Sequence, residues 1–417
     1  MVSEAKKYRV DGEVGRFVFE THQVEQNGEV VVDTAALFPR LKGQQWYRTV
    51  GHKEIALVHG TITGSFRKTA TWFNRVRHQP GATPYRTLSH TSEQEGEQVL
   101  NHLTQQADQI LRAHQFEQNQ PPEPNREHYQ SQPLVALPPE IVTAAVQACA
   151  PDQSYEPEML ANPVSYEQSA ASIQVSIDPV GVKQQKESRD GKPKANKRAM
   201  AYQTVAHIHQ EQCSYTLNGR DVGSVLRLVL AFLLHNDLLK YNLICFVDGQ
   251  RSLNKAVATI FAWFGPLQLI LDWYHLEKKC KEQLSLAMHG REFRNQLLDQ
   301  VRPLLWLGCV DRAMSELRAV DPAQIKNQDE LDKLIDYLHR HQAAIPCYAV
   351  RQKLGLRNSS NRGEKSNDLL VSARQKHNGM SWSPTGSVAL AALTALVRNH
   401  EYTQWFQARS IPFSFAT

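Results

Sequence analysis

The chain has 417 residues, enough for two or three domains, and its formal net charge of +5 permits a polyanionic partner without requiring one. It has no apolar run long enough to span a membrane and no signal-peptide core near Met1, so neither a membrane protein nor a secreted one is expected. Its six cysteines are scattered without a C-x-x-C pair, which argues against a disulfide framework or a cysteine zinc site and favours a reducing cytoplasm.

The N-terminal part of the chain predicts a small mixed segment over residues 1–62, followed by two helices. Apolar residues recur at helical spacing over 63–77, and a second helix is expected from Pro84 to about His114 after a Pro-Gly turn. The region 63–116 therefore predicts either a helix-turn-helix DNA reader or an ordinary helical hairpin with a solvated basic face. Five basic residues would contact DNA phosphates in the first case: Arg67, Lys68, Arg75, Arg77 and Arg86.

A stretch rich in proline, glutamine and asparagine, residues 117–139, predicts a linker. Beyond it the pattern changes to strands alternating with helices, which indicates an α/β fold with a mixed sheet. The expected strands are 171–183, 199–209, 213–217, 243–247 and 267–271, with a charged loop over Lys186–Lys197. The expected helices are 221–239 (capped by Asp221), 252–264, one starting near His275, and an almost wholly helical block over 284–346.

Three acidic residues lie where strands end or a helix begins. Asp178 ends the alternating run that starts at Ala171, Asp248 ends a continuously apolar run, and Glu364 opens a helix-like stretch. Carboxylates at the ends of two strands, joined by one from a later helix, can converge on a pair of divalent metal ions that assist attack on a phosphodiester. Each also has an ordinary explanation, because aspartate is common in turns and glutamate is common in the first turn of a helix.

Further candidates surround these three. Asp272 and His275 follow the strand at 267–271, where the histidine could orient a carboxylate or a phosphate, or where the aspartate could cap a helix. Asp368, four residues after Glu364, is the alternative acid on the same helical face. Arg374 and Lys376 could contact phosphate or be solvated, and Trp382 could stack on a nucleobase or pack in the core.

The order of these motifs resembles a known family. Asp178, Asp248-Gly249, Asp272-Trp-Tyr-His275, a helical block and then Glu364 look like the mutator-type DDE transposases of bacterial insertion sequences. The strings Arg362-Gly-Glu-Lys-Ser-Asn and Arg374-Gln-Lys-His-Asn-Gly-Met-Ser-Trp-Ser are similar to the Kra-type and Lre-type branches. The resemblance covers roughly residues 165–400.

This resemblance implies an RNase H-like catalytic domain over 165–417, with an all-helical insertion at about 284–346, and it favours the DNA-reading interpretation of 63–116. Asp178, Asp248 and Glu364 would bind two Mg²⁺ ions, which Mn²⁺ could replace, and Asp272 and His275 match an accessory motif. The implied partners are double-stranded DNA (the element's terminal inverted repeats and the target) and other copies of the chain, as a homodimer or higher oligomer on DNA in a bacterial cytoplasm or nucleoid. The alternatives are an RNase H-like nuclease without strand transfer and a domesticated DNA-binding repressor without activity.

Overall fold

The structure is a computed structural model that describes residues 6–21, 23–26, 29–32, 46–185, 199–377 and 380–415. The expected loop over Lys186–Lys197 lies outside these ranges. The chain forms two compact units, each assembled from separate segments of the sequence. Unit 1 comprises Met1–Leu103, Gly181–Tyr202 and Asp368–Phe413, and unit 2 comprises Thr104–Val180, Gln203–Asn367 and Ser414–Thr417. Within the described ranges, every helix is too short or too polar to cross a bilayer.

The described residues contain strands in both halves of the chain and helices throughout most of it. The strands are β1 (Lys6–Asp11), β2 (Arg16–Thr21), β3 (Gln23–Gln26), β4 (Glu29–Val32), β5 (Trp46–Arg48), β6 (Ser172–Lys183), β7 (Met200–Gln210), β8 (Cys213–Gly219), β9 (Asn242–Val247) and β10 (Leu267–Leu271). The helices up to β10 are α1 (Val50–Ile62), α2 (Phe66–Val76), α3 (Tyr85–Ala113), α4 (Glu123–Ser131), α5 (Pro139–Cys149), α6 (Glu156–Leu160), α7 (Val222–His235) and α8 (Arg251–Ile260). The later helices are α9 (Trp273–Ala287), α10 (Arg291–Trp306), α11 (Val310–Arg318), α12 (Gln328–His341), α13 (Tyr348–Lys353), α14 (Asn361–Asn367), α15 (Ala373–Gln375), α16 (Pro384–Arg398) and α17 (Tyr402–Ala408), with one π-helical turn at Asp368–Ser372.

Unit 2 contains the parallel part of a five-stranded mixed sheet with strand order β10-β9-β6-β7-β8. Strand β9 runs parallel to both of its neighbours, β10 and β6, whereas β7 and β8 form an antiparallel pair. All six residues of β9 are buried, as expected for the central strand of a covered parallel sheet. The α/β class with a mixed sheet, predicted from the sequence, is confirmed.

The core of unit 2 lies between β9–β10 and the helices that follow them. Aromatic side chains pack the later helices against the start of α9: the Trp273 ring lies 4.8 Å from the Trp306 ring and 5.0 Å from the Tyr348 ring, measured between centroids. The Tyr348 hydroxyl donates to the Leu271 carbonyl at 2.7 Å, which fixes α13 at the end of β10. The block predicted to be helical, 284–346, is confirmed as helical and packs against this side of the sheet.

Unit 1 contains a three-stranded sheet, β2-β1-β5, and the helices α1 and α2. Apolar residues of α1 and α2 pack with Leu88 around Phe73, which is 2 % exposed. The turn after α2 is held by a reciprocal pair of hydrogen bonds, because Asn74 Nδ2 donates to the Thr83 carbonyl at 3.0 Å and the Thr83 amide donates to Asn74 Oδ1 at 2.9 Å. The two predicted helices at 63–77 and 84–114 are confirmed. Helix α1, capped by the Thr49 side chain, was not predicted.

The structure differs from the prediction at the expected linker, residues 117–139. This segment carries α4, and the Asn242 side chain accepts from the Val135 amide at 2.7 Å and donates to the Val135 carbonyl at 2.9 Å. The Gly265 amide also donates to the Tyr129 carbonyl at 2.9 Å. These hydrogen bonds make the segment part of unit 2.

Candidate active site

The register of the parallel strands places three aspartates at one level of the sheet. Ser176 of β6 is opposite Phe246 of β9, so Asp178 is level with Asp248, two residues further on. Leu271 of β10 is opposite Val247, so Asp272 is level with Asp248 from the other side. Three neighbouring strands therefore present a carboxylate at the same edge, where α/β sheets bind their ligands.

Asp178 ends the alternating run, but the strand continues beyond it, as the expected strand over 171–183 requires. β6 continues through Pro179 to Lys183, beyond the last pairing with β9 at Ser176. Strand β7 remains its neighbour in the sheet, so the loss of one backbone donor at Pro179 does not stop the strand. Asp178 thus lies on a continuous strand beside the end of β9.

Asp178, Asp248 and Glu364 line one cavity of about 20 Å³, roughly the space of one water molecule. The lining residues are Ser176, Ile177, Asp178, Val205, His207, Phe246, Asp248, His275, Ser360, Gly363, Glu364 and Asn367. The structure therefore brings the three predicted acids and His275 together. Asp368, the alternative acid, is exposed and is not among these lining residues.

Glu364 reaches the cavity because α14 packs closely on β6. A Cβ atom added at Gly363 would lie 2.5 Å from the Ser176 Cβ, so only glycine allows this approach. One turn further along α14, Asn367 donates from its Nδ2 to Oδ2 of Asp178. The helix is thus anchored on the strand that carries the first acid.

Asp272 caps α9 and ties it to the loop before α14. Its Oδ1 accepts from the amides of Tyr274 at 2.8 Å and His275 at 3.2 Å. Its Oδ2 accepts from the Ser360 amide and, at 2.8 Å, from the Ser360 hydroxyl. Asp272 is only 1 % exposed, and the same carboxylate both caps α9 and positions His275 and Ser360.

His275 faces the acids of the cavity. Its Nδ1 lies 3.3 Å from Oδ1 of Asp272 and 4.0 Å from Oε1 of Glu364. The Asp272 carboxylate raises the pKa of His275 against the opposing effect of burial, and the charges of Asp248 and Glu364 act in the same direction. Burial alone raises the pKa of Asp272, but hydrogen bonds from His275 and Ser360 bring it below its ordinary value.

The carboxylates around His275 raise its pKa, as negative charge in a cavity does. Carboxylate oxygens are the ligands that Mg²⁺ prefers, so this donor set fits a divalent ion. Within the described part of the chain, no group of three or more His, Cys, Asp or Glu side chains already has metal-binding spacing. The Glu364 side chain is 42 % exposed, so a change of rotamer could move its carboxylate within the cavity.

Sequence reasoning missed several residues of the cavity. Asn367 is three residues after Glu364, and helical spacing could have placed both on one face of α14. Val205 and His207 alternate on β7, a period that could have assigned them to one face of the sheet. Ser360 lies in a loop and carried no sequence signal for its contact with Asp272.

The residues predicted to bind DNA divide by exposure. Arg67, Lys68, Arg75 and Arg86 are exposed in unit 1, and Lys376 is exposed in the same unit. Arg67 and Arg75 line a groove of about 800 Å³ together with other residues of α2 and the following turn. All five side chains are therefore accessible to a phosphate at the protein surface.

Arg77 and Arg374 are buried, which differs from the surface role predicted for them. Arg77 is 4 % exposed and donates from Nη1 to the Thr83 hydroxyl at 3.2 Å. Arg374 is 3 % exposed, and its Nε donates to the Gly60 carbonyl at 3.2 Å. Burial lowers the pKa of Arg374 to about 10. Both guanidinium groups hold unit 1 together and are not available to a phosphate at the surface.

Trp382 is half-buried, and its ring is occupied within unit 1. Its Nε1 donates to the Gln375 carbonyl at 3.0 Å, and the Arg374 guanidinium lies 5.3 Å from its ring centroid. The Arg374 guanidinium therefore covers one face of the half-buried ring.

No protein-family model matches the chain, and no curated protein sequence matches it. A solved structure described as a Drosophila P element transposase strand transfer complex aligns with 92 % of this chain and 86 % of that one. The two share 10 % sequence identity, and the TM-score is 0.26.

Proposed function

We propose that the chain is a DDE-type DNA transposase that cleaves and joins DNA strands at the ends of a mobile element. The observation that supports this most is the cavity shared by Asp178, Asp248 and Glu364. Two of these acids lie on neighbouring parallel strands at one level, and the third comes from α14. The order of the same residues along the chain, with the helical block before Glu364, resembles mutator-type transposases.

In this proposal Asp178, Asp248 and Glu364 would hold divalent ions, with Mg²⁺ as the natural choice and Mn²⁺ as a substitute. When bound, such ions supply stabilisation of the attacking and departing oxygens of a phosphodiester. The attacking group would be water in the cleavage step and a DNA 3′-hydroxyl in the joining step.

The chain's own residues would set the geometry of this site. Asp272 holds the start of α9 through its amides and so fixes His275 beside Glu364. His275, whose pKa the Asp272 carboxylate raises, would orient the Glu364 carboxylate or a substrate phosphate when DNA is bound. Asn367 holds Asp178 in one orientation.

DNA recognition in this proposal belongs to the exposed basic residues Arg67, Lys68, Arg75 and Arg86 on the helices of unit 1, with Lys376. They would contact phosphates of the element's inverted repeats, and such contacts make affinity fall with salt. Assembly of two or more copies on paired element ends is part of the same proposal.

The test uses the full chain, Mg²⁺ and two duplexes: one with the terminal sequence bracketing the gene and one with that sequence shuffled. A transposase cuts the terminal duplex preferentially and joins the new 3′ end to a target, and Asp248→Asn abolishes both reactions while binding persists. Equal cutting of both duplexes without joining would show the RNase H-like nuclease instead. Binding with no metal-dependent cutting by the wild type would show a repressor and overturn the proposal.

A further inference from the structure

Unit 2 contains a second concave surface beside the candidate active site. It is a groove of about 700 Å³ between α8, the edge strand β10, the end of α12 and the segment around Ser165. We call it the α8–α12 groove. Its polar lining includes Arg251, Asn254, Lys255, Arg340 and His341.

The charges in the α8–α12 groove are of one sign. Arg251, Lys255 and Arg340 are exposed, and no aspartate or glutamate belongs to the lining. None of the three has a side-chain hydrogen bond or an ion pair with another described residue. Three exposed cations in one groove without a carboxylate give it a positive potential that attracts an anion.

Buried polar atoms in the same groove also lack partners. His341 is 6 % exposed and its Nε2 has no hydrogen-bond partner among the described residues. The same holds for Oδ1 of Asn254, whose Nδ2 lies 3.4 Å from Nδ1 of His341. A buried polar atom without a partner costs free energy that a bound ligand can recover.

The groove begins where the candidate active site ends. Helix α8 starts at Arg251, three residues after Asp248. Between them Gly249, with φ of 81°, packs so closely on α12 that an added Cβ would lie 2.1 Å from the Tyr337 hydroxyl. Burial and then the Arg340 charge lower the pKa of His341, and the Asp248 charge opposes them, so Asp248 and His341 lie within electrostatic reach of each other.

From these observations we infer that the α8–α12 groove binds the phosphodiester backbone of a nucleic-acid strand that continues past the Asp248 cavity. Arg251 and Lys255 are one helical turn apart, about 6 Å along α8, a spacing suited to successive phosphates of one strand. His341 supplies a hydrogen bond from the wall, because its Nδ1 faces the Asn254 side-chain NH₂ group and its Nε2–H is then the donor left for a phosphate oxygen. This inference rests on the proposed function for the choice of nucleic acid over another polyanion, and it gives unit 2 a DNA contact of its own.

The test measures binding of a fluorescein-labelled duplex of random sequence to the full chain by anisotropy, with EDTA present and salt varied. The groove variant is Arg251→Gln, Lys255→Gln and Arg340→Gln. Each phosphate contact contributes about 0.9 to the slope of log K against log salt, so the variant should lose roughly 2 to 3 of that slope and bind at least about tenfold more weakly at low salt. Because no metal is present, failure to bind and failure to cleave are separate results.

A matched control removes the same charges elsewhere on unit 2. Arg291, Arg318 and Lys326 are exposed and outside the groove, and their triple glutamine variant loses the same net charge. Control and wild type should have nearly the same slope. An equal loss in the two variants would overturn the inference, as would groove-dependent binding of poly-glutamate as tight as that of DNA. If the groove variant does not fold, the single change Lys255→Glu at an exposed site carries the same test.

Discussion

Replacing Asp272 by asparagine should separate two tasks that one carboxylate performs. Oδ1 of Asp272 caps α9, and Oδ2 holds Ser360 through its amide and hydroxyl. Asparagine is about as good an N-cap as aspartate, so the cap itself survives the change. The substitution, however, replaces the buried acceptor Oδ2 by an NH₂ donor. The Ser360 amide, which is also a donor, would then face this NH₂ group.

The expected cost follows from these contacts. Hydrogen bonds to a charged acceptor contribute about 1.5–3 kcal/mol each, and Oδ2 accepts two of them. The Ser360 hydroxyl can turn to accept from the new amide, which recovers one bond. The amide of Ser360 cannot, so Asp272→Asn should destabilise unit 2 by about 2–4 kcal/mol.

Urea unfolding followed by tryptophan fluorescence measures this, because Trp273 and Trp306 pack next to the affected contact. Asp221→Asn is the matched control, because the Asp221 side chain caps α7 by accepting from the Ser224 amide at 2.8 Å but is exposed. This control substitution should change the free energy of unfolding by only a few tenths of a kcal/mol. Equal effects of the two substitutions would refute the assignment of the Ser360 contact to Oδ2.

The pH dependence of the difference has a definite sign. The folded-state pKa of Asp272 is below its ordinary value, so its stabilisation is fully present above about pH 4, near the unfolded-state pKa. As the pH falls through the lower folded-state pKa, the carboxylate is protonated and the stabilisation is lost. The gap between wild type and Asp272→Asn should therefore shrink in acid; a gap that grows as the pH falls would contradict the direction of the shift.

Gly249 and Gly363 of the candidate site should not tolerate alanine. Gly249→Ala should cost several kcal/mol of stability and most of the cleavage rate, because both the positive φ and the 2.1 Å approach to the Tyr337 hydroxyl oppose a side chain. Gly355→Ala is the control, since Gly355 has a φ of 72° but open space around it. This control should lose only about 1–2 kcal/mol of stability and keep the wild-type cleavage rate. Gly363→Ala should push α14 away from β6 and reduce cleavage at least about tenfold, and the second change Ser176→Gly should restore much of it by removing the Cβ that clashes; no rescue in the double variant would show that Gly363 acts otherwise.

The sequence predicted the convergence of the acids for a physical reason. Buried apolar runs that end in aspartate mark parallel strands, and the ends of such strands meet at one edge. The common level of Asp178, Asp248 and Asp272 depends on strand register, which is set by tertiary pairing and is not encoded in any one strand.

Other features could not be predicted because they depend on distant segments. The basic character of Arg77 and Arg374 suggested the surface, yet both are buried by partners from separate parts of unit 1. Unit 1 itself draws on three stretches of the chain, so a fragment ending at 116 does not contain all of it. The lining of the α8–α12 groove likewise joins α8 to the end of α12, about ninety residues later.

The central claim is that three carboxylates around one cavity perform metal-dependent cleavage of DNA. The most direct measurement is the rate of Mg²⁺-dependent cleavage of one terminal duplex by the wild type and four single variants: Asp178→Asn, Asp248→Asn, Glu364→Gln and Asp368→Asn. We predict that each of the first three loses at least about a hundredfold in rate, since removal of one ligand misplaces the ion, while Asp368→Asn cuts within about twofold of the wild type. Undiminished cleavage by Glu364→Gln, together with its loss in Asp368→Asn, would contradict the account.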